Sequence, residues 1–292
     1  EQKMKNILIG LLMIGSLFGQ VNSVLTISPT TSETILGNQS LAFRNPALNN
    51  LNLDTTTNVS FTNVQWLGNI VDDMGYNYIE VEKGKLDYSL LYFNYGEQNF
   101  ADESGIISGN FSPSTLVLGI GWGTDLLYKG ERVDSISLGF RGKAVFHDLY
   151  TEKTDGLLLD VGLHFHKLYG MVNLDLGVSN FGYMTKINGY EIEQPSAFNV
   201  GFHIPIKDKW DIYNQWNLYD GYHTHGQGVS YNLKNMFWVN AGYYNDVTHD
   251  LNYSSLGFDF KFEKWKFGVG VLNGDETHPL KNTLLLTINM EI

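Results

Sequence analysis

Two pairs of histidines have a spacing that could serve metal chemistry. His164 and His166 are two residues apart, as are His223 and His225, so in an extended strand each pair shares one face. Imidazole nitrogens are common zinc ligands, but a zinc site needs at least a third protein ligand. No third ligand follows either pair at a suitable spacing, so hydrogen-bonded polar residues explain the pairs better. We therefore predict no metal site and no cofactor.

Nucleophilic catalysis leaves a more specific pattern, and the sequence lacks it. Serines are plentiful, but none lies in a Gly-x-Ser-x-Gly motif, the strand-to-helix turn that exposes a serine nucleophile in many hydrolases. The chain also contains no cysteine, which excludes a disulfide scaffold and a cysteine nucleophile. We therefore predict no catalytic residue and expect that the protein is not an enzyme.

Charged and polar residues recur on one face of several predicted strands. If that face lined a pore, they could select ions. The alternative is that they pair with one another and fill a narrow lumen, which we favour because an unpaired buried charge is costly. The candidate lumen residues are Arg141, Lys143, Asp160, His164, Asp175, Asp259 and Lys261.

The elements that position these residues are alternating strands. In 157–166, 171–179, 198–204, 255–262 and 283–292, apolar residues occupy every second position, and polar residues or glycine occupy the others. Leu158 and Leu285 are exceptions on the polar faces. Complete apolar faces opposite polar ones are typical of a membrane barrel, which has lipid outside and a polar lumen inside.

The connections between strands alternate in length. Short turns such as Lys83-Gly84 and Glu263-Lys264 alternate with long connections such as 96–113 and 180–195. A soluble β-sandwich also alternates in hydrophobicity, but it has no reason to sort its loops in this way. The sequence thus predicts an all-β fold, a transmembrane antiparallel β-barrel of about 14 strands over residues 55–292, with the long loops outside.

One stretch before the barrel does not alternate. Residues 37–48 are half apolar, and Pro46 would break any strand ladder. An apolar stretch directly before a barrel strand has few places to go, so we expect residues 24–54 to form an N-terminal plug in the barrel mouth or lumen. An ordinary exposed loop remains the alternative. The residues expected to shape and hold the plug are Leu41, Phe43, Asn45, Pro46 and Ala47.

The beginning of the chain indicates export. Lys3 and Lys5 precede an apolar run over residues 7–18, and Ser23 lies at a suitable cleavage position, so residues 1–23 are predicted to be a signal peptide. The formal net charge of −12 argues against a nucleic-acid partner. Export and a predicted barrel together place the protein in a Gram-negative outer membrane, with outer-membrane lipid as its surroundings.

The plug segment also resembles a known family. Residues 39–48, Gln-Ser-Leu-Ala-Phe-Arg-Asn-Pro-Ala-Leu, are similar to the N-terminal signature of the PorV/PorQ family. The stretches Tyr92-Phe93-Asn94-Tyr95-Gly96 and Gly109-Asn110-Phe111-Ser112 resemble its PorQ branch. The resemblance covers nearly all of the chain after the signal peptide, although the glycine-rich turn before the motif has only Gly37.

That resemblance implies a function. The family consists of barrels similar to the FadL fatty-acid transporter that belong to the type IX secretion system. It implies an integral outer-membrane component that anchors or docks a surface attachment complex for secreted cargo, with other secretion-system proteins as partners. The alternative is a FadL-like outer-membrane transporter or channel for a hydrophobic small molecule, which would need a kink in a strand wall and an apolar pocket beneath the plug.

Overall fold

The computed structural model describes residues 24–51, 56–67, 71, 73–101, 107–128, 130, 132–149, 152–186, 192, 194–246, 248, 252–274 and 280–292. The predicted signal peptide, residues 1–23, lies outside the described residues. So does the plug's predicted limit at residue 54.

Fourteen strands form a closed antiparallel barrel, as the alternation predicted. The barrel closes where the first strand pairs with the last, in a register that runs from Asn58 opposite Glu291 to Val64 opposite Leu285. In chain order the strands are β1 Thr57–Gln65, β2 Gly75–Lys83, β3 Leu86–Asn94, β6 Ser114–Tyr128, β7 Ser135–Asp148, β8 Lys153–Leu168, β9 Val172–Met184, β10 Ala197–Ile206, β11 Trp210–Tyr219, β12 His223–Leu233, β13 Phe237–Asp246, β14 Tyr253–Phe262, β15 Trp265–Asn273 and β16 Thr283–Glu291.

Two further strands lie outside the barrel. β4 (Gln98–Ala101) and β5 (Ile107–Phe111) pair as an antiparallel ribbon in the connection between β3 and β6. The sequence analysis assigned this stretch to a loop. In the described part of the chain, no helix is both long and apolar enough to cross a membrane.

The two faces of the wall differ as expected. On β14, Leu256 and Phe258 are 46% and 51% exposed, whereas Ser255 and Asp259, which flank this stretch, are buried. Because closure removes every sheet edge, all backbone groups in the wall can pair, which the hydrocarbon of a bilayer requires. The exposed apolar faces therefore form the surface that contacts lipid.

The connections at the two ends of the barrel differ in length. At one end the strands are joined by short turns such as 84–85, 207–209 and 263–264, and at the other by connections such as 66–74, 95–113 and 185–196. We refer to these as the short-turn end and the long-loop end. Between β8 and β9 the turn is 169–171, and Pro205 lies within β10, one residue before its end.

The plug passes around the inside of the wall. It begins with a 3₁₀ turn, Val24–Thr26, continues through two short helices, Thr31–Ile35 and Ser40–Arg44, and ends in a second 3₁₀ turn, Pro46–Leu51. The first helix contacts β13 to β16, the second contacts β9 and β10, and the final turn contacts β6, β7 and β8. The segment predicted to be a plug is therefore a lining that touches most of the barrel circumference.

Glycines in the wall provide the seat for this lining. A Cβ atom at Gly139 on β7 would lie less than 3.0 Å from the backbone of Pro46 and Ala47, and one at Gly162 on β8 would collide with the side chain of Asn45. Only glycine allows one backbone to approach another this closely. Gly226, Gly228 and Gly242 approach the plug backbone in the same way, whereas Gly201, Gly257 and Gly270 lie against plug side chains.

Two glycines on the same strand test this seat. We expect Gly139→Ala to reduce the free energy of unfolding by about 1–3 kcal/mol, because the added methyl group overpacks a contact between two backbones. Gly142→Ala should have little effect, since nothing lies within 4 Å of a Cβ atom at that position. Urea unfolding in detergent, followed by tryptophan fluorescence, measures both. Equal losses for the two variants would contradict the proposed seat.

Candidate functional site in the barrel lumen

The Asn45-Pro46-Ala47 corner is anchored to the inner wall. The Asn45 amide donates to the backbone oxygen of Leu163 at 3.0 Å and to Asp175 Oδ1 at 2.8 Å. Its side-chain oxygen accepts the backbone N–H of Ala47 at 3.0 Å, and Asn45 is 2% exposed. Pro46 fixes its own φ and keeps Asn45 extended, so the corner is stiff.

Leu41 and Phe43 hold the second plug helix against the wall. The backbone N–H of Leu41 donates to Gln215 Oε1 at 2.9 Å, and its side chain lies against Gly177 and Gly201. Phe43 stacks on Tyr213 with ring centroids 5.5 Å apart. The helix is thus attached by both a polar and an apolar contact.

Arg141 on β7 lies at the centre of the charged groups. It donates from Nε to Asp87 Oδ1 at 2.9 Å and from Nη1 to the backbone oxygen of Arg44 at 2.8 Å, and its Nη2 lies 3.5 Å from Glu80. The side chains of Arg141 and Asp87 are 3% and 0% exposed. Plug and wall therefore share one buried ionic network.

Lys143 and Asp160 form a second pair, at 2.6 Å. It lies beside an irregularity in the wall, because the pairing of β8 with β9 shifts register between Leu159 and Val161. Opposite, Asn180 has a positive φ of 57°, and its backbone N–H donates to Asp160 at 2.8 Å. The charged pair thus supports a bulge in the wall.

His164 and Asp175 contact each other, with His164 Nδ1 2.9 Å from Asp175 Oδ1. The His166 ring lies 5.9 Å from that of His164, and His225 stacks on Trp216. Within the described ranges, no three histidine or acidic side chains converge to hold a metal ion. The histidine contacts that the structure displays are hydrogen bonds and ring stacking.

Asp259 and Lys261 lie on β14, nearer the short-turn end. Asp259 accepts hydrogen bonds from Asn240 at 3.0 Å and from Ser32 of the plug at 3.3 Å, and it lies 3.2 Å from Lys266. Lys261 contacts Glu291 at 2.7 Å. Each of the seven candidate lumen residues thus contacts an opposite charge or a polar partner, an arrangement that fills the lumen.

Two cavities lined by described residues lie beside the plug. One of about 90 Å³ lies between the plug and the bulge, where Arg44, Lys143, Asp160 and Asn180 line it. The other, of about 260 Å³, lies at the short-turn end and is lined by Glu80, Glu82, Lys261 and other polar residues, with Phe43 and Met290. Charged and polar residues thus outnumber apolar ones in the cavity beneath the plug, whereas a FadL-like transporter was expected to have an apolar cavity there.

The long-loop end of the lumen is different in character. A cluster of buried apolar and aromatic side chains lies there, with Tyr76 and Phe93 at its centre and ring centroids 6.1 Å apart. Leu285, one exception to the alternation, belongs to this cluster, and Leu158, the other, belongs to a smaller one on the opposite wall. We call the larger group, which includes Val24 and Ile35 of the plug, the aromatic cluster: Val24, Ile35, Val64, Met74, Tyr76, Tyr78, Leu91, Phe93, Tyr95, Tyr253, Leu272, Leu280 and Leu285.

The fold matches solved structures over most of its length. The Pseudomonas putida toluene transporter TodX matches with a TM-score of 0.57 at 10% sequence identity, covering 91% of this chain and 98% of that one. The CymD monoaromatic hydrocarbon channel gives 0.55 at 9% identity, with 91% and 96% covered. The Ralstonia pickettii toluene transporter TbuX gives 0.54 at 10% identity, with 91% and 97% covered. The expected FadL-like barrel fold is thereby confirmed.

The comparisons found no match at the level of sequence. No protein-family model matches the chain, and no curated protein matches it. Nothing in them therefore supports the PorV/PorQ resemblance specifically, and the fold alone is shared with the transporters. The three similar structures are named as transporters or channels, not as enzymes.

Sequence analysis missed several residues that the structure brings into the site. Asp87 and Glu80 pair with Arg141, and Glu33 lies on the plug beside them. Glu80 and Asp87 could have been found from the alternation, because each shares a strand face with the buried Tyr78 or Leu91. Glu33 had no such signal, since it precedes the first strand and only the docked plug buries it.

The Arg141 network can be tested by breaking it. Arg141→Met leaves Asp87 buried without its cation, so we expect it to lower the free energy of unfolding by about 3–5 kcal/mol. Combining it with Asp87→Asn should recover part of that loss, because no uncompensated charge is then buried. Denaturant unfolding of the two single variants and the double variant gives the coupling energy. Strictly additive losses would contradict the direct pairing.

Proposed function

We propose that the protein is an outer-membrane transporter for a small hydrophobic molecule. The observation that carries this proposal is the aromatic cluster inside the long-loop end of the lumen. Most of the inward face below it is polar or charged, as a barrel lumen usually is. Buried aromatic side chains on the lumen side have no use in an ion pore, but they suit a solute that leaves water for an apolar site.

The position of this cluster supports an entry site. Trp66, Tyr76, Phe93 and Tyr95 form a chain of ring contacts, with centroids 6.0, 6.1 and 4.7 Å apart along it. Offset and tilted rings of this kind provide the geometry in which another aromatic ring packs favourably. The similar structures TodX and TbuX are named as toluene transporters, so a monoaromatic hydrocarbon is the substrate class we propose to test first.

The solute also needs a route from the aromatic cluster out of the barrel. A hydrophobic solute would not pass the polar cavity at the short-turn end, because dissolving it among charges offers no gain. The bulge between β8 and β9 offers another way, since the cavity there is lined by plug residues and also by Val161 and Val178 of the wall. We propose that the solute leaves sideways at the bulge, after the plug has moved.

Uptake of toluene by cells that produce the protein tests the transport proposal. We expect Phe93→Ser to lower the uptake rate about tenfold, because it removes apolar contact worth about 1.4 kcal/mol or more from the entry site. Phe146→Ser is the matched control, since Phe146 is 45% exposed on the outward face of β7. It should leave uptake unchanged at equal protein levels. No uptake above that of cells lacking the protein would rule out the proposal for this solute.

A docking role is the second candidate, and the filled lumen favours it. The two cavities, of about 90 and 260 Å³, are smaller than the 300–1,000 Å³ typical of sites for drug-sized ligands. A barrel that anchors a surface attachment complex needs no passage, and the resemblance of residues 39–48 to the PorV/PorQ family suggests secretion-system partners. The β4–β5 ribbon extends the surface available for such contacts at the long-loop end.

The docking role predicts stable partners. The protein, purified through a tag in mild detergent and examined by mass spectrometry, should then retain secretion-system components in fixed proportion. Removing residues 98–111, which include the ribbon, should release them while the barrel stays folded. Recovery of the barrel alone, together with measurable toluene uptake, would leave the transporter as the function.

A further inference from the structure

Glu33 is a buried acid with an incomplete set of partners. It lies in the Thr31–Ile35 plug helix and is 1% exposed. Its Oε1 accepts a hydrogen bond from the Thr30 hydroxyl at 2.9 Å, whereas its buried Oε2 has no hydrogen-bond partner within the described part of the chain. An ionised carboxylate in such a place is costly, because its lost hydration is not replaced.

The neighbouring charges do not balance if every acid is ionised. Arg141 is engaged by Asp87 at 2.9 Å and by Glu80 at 3.5 Å. Arg44 lies over the ring of Tyr78, 5.0 Å from its centroid. Two guanidinium groups thus accompany three carboxyl groups, those of Glu33, Glu80 and Asp87. A neutral cluster requires one proton on a carboxyl group, and Glu33 is the acid without an ion-pair contact among the described residues.

The pKa of Glu33 is raised to about 8, mainly because burial disfavours the charged carboxylate; Arg44 and Arg141 lower it and Glu80 raises it, by smaller amounts. The cavity of about 260 Å³ at the short-turn end reaches Glu33 and Glu80. Its lining also includes Glu82 of β2, Lys261 of β14, Lys264 and Lys266 at and after the turn, and Glu291 of β16. The Glu33 side chain therefore borders this cavity, although the residue itself is only 1% exposed.

The helix that carries Glu33 is attached to the wall by hydrogen bonds and by apolar packing. The backbone N–H of Thr31 donates to Thr287 Oγ1 at 3.0 Å, and Ser255 Oγ donates to the Ile35 backbone oxygen at 2.6 Å. Ile35 itself lies on Gly257 and Gly270. If the Glu33 carboxyl group ionises, its negative charge is buried between these contacts. A displaced position of the helix, in which water hydrates the carboxylate, would then be favoured.

We propose that Glu33 is a proton-operated latch, which holds the plug seated while it is protonated and releases the Thr31–Ile35 helix when it ionises. The latch goes beyond the transport proposed above and does not depend on which solute passes. It identifies a proton as the ligand of a site between plug and wall, and it provides a cause for the plug movement that any passage requires.

The sign of the pH dependence follows from the direction of the shift. Glu33 has an ordinary pKa of 4.5 and a raised one when the plug is seated, so the seated state binds the proton more tightly. Seating is then strongest below pH 4.5 and weakens as the pH rises. The equilibrium constant for release grows by up to about tenfold per pH unit until about pH 8, above which it levels off.

A single cysteine measures this release. Ser28 lies on the plug, is 1% exposed, and its hydroxyl has no partner among the described residues, so Ser28→Cys should be tolerated in a chain that has no cysteine. We expect its modification by a neutral thiol reagent, corrected for thiolate formation, to accelerate at least tenfold from pH 6 to pH 8. Adding Glu33→Gln should abolish that acceleration.

Two matched variants assign the effect to Glu33. Glu291→Gln makes the same change in the lining of the same cavity, at an exposed residue, and should behave like the parent. Glu82→Gln tests the other acid of the cavity on β2 and should also retain the acceleration. An acceleration that survives Glu33→Gln, or one that only Glu82→Gln removes, would overturn the latch.

A cross-link distinguishes movement of the plug from titration alone, and it keeps Glu33 in place. A Cβ atom at Gly270 would contact the side chain of Ile35, so Ile35→Cys with Gly270→Cys should form a disulfide. Planar-bilayer conductance should rise between pH 6 and pH 8 in the reduced protein and stay constant in the oxidised one. An equal rise in both would overturn the proposal, whereas failure of toluene uptake alone would count only against the transport function.

Discussion

The structure depends on the close approach of one backbone to another, where the plug lies on the inner wall. Eight or more wall glycines face the plug, and at Gly139 and Gly162 a single added carbon would collide with it. The plug brings its own polar groups to this seat, and Asn45 satisfies backbone and carboxylate partners at once. Since a buried polar group without a partner is destabilising, the seat and the hydrogen bonds require each other.

The charged groups of the lumen follow from the same packing. A barrel of this size encloses more space than its own inward side chains fill, and the plug occupies the difference. Arg141 reaches both the wall acid Asp87 and the plug oxygen of Arg44, so the network fastens the two parts together. Glu33 differs from Asp87 and Glu80, because it has no ion-pair contact among the described residues and one of its buried carboxylate oxygens has no hydrogen-bond partner there. This difference is the basis for the proposed proton-operated latch.

The lumen has an aromatic long-loop end, and the rest of it is polar. The two parts favour different solutes. Apolar solutes gain from contact with Tyr76 and Phe93, whereas the cavity at the short-turn end, with Glu82 and Lys261, favours water and ions. The similar structures share the fold at about 10% identity, so the chemistry of the site rests on the residues of this chain. The bulge supported by Lys143 and Asp160 lies beside the plug cavity, and the proposed route takes an apolar solute through it.

The sequence by itself determined the barrel and its inside-outside parity, because a strand has a period of two and lipid demands a continuous apolar face. It also predicted the plug, because residues 37–48 break that period just before the wall begins. From the sequence, Gly162, Gly177 and Gly201 are only members of the inward, polar strand faces. The tertiary structure showed that they are the places where the plug packs against the wall. It alone brought Asp87 to Arg141, which is 54 residues away along the chain, and buried Glu33 near this pair, since no local pattern encodes which distant strand lies opposite.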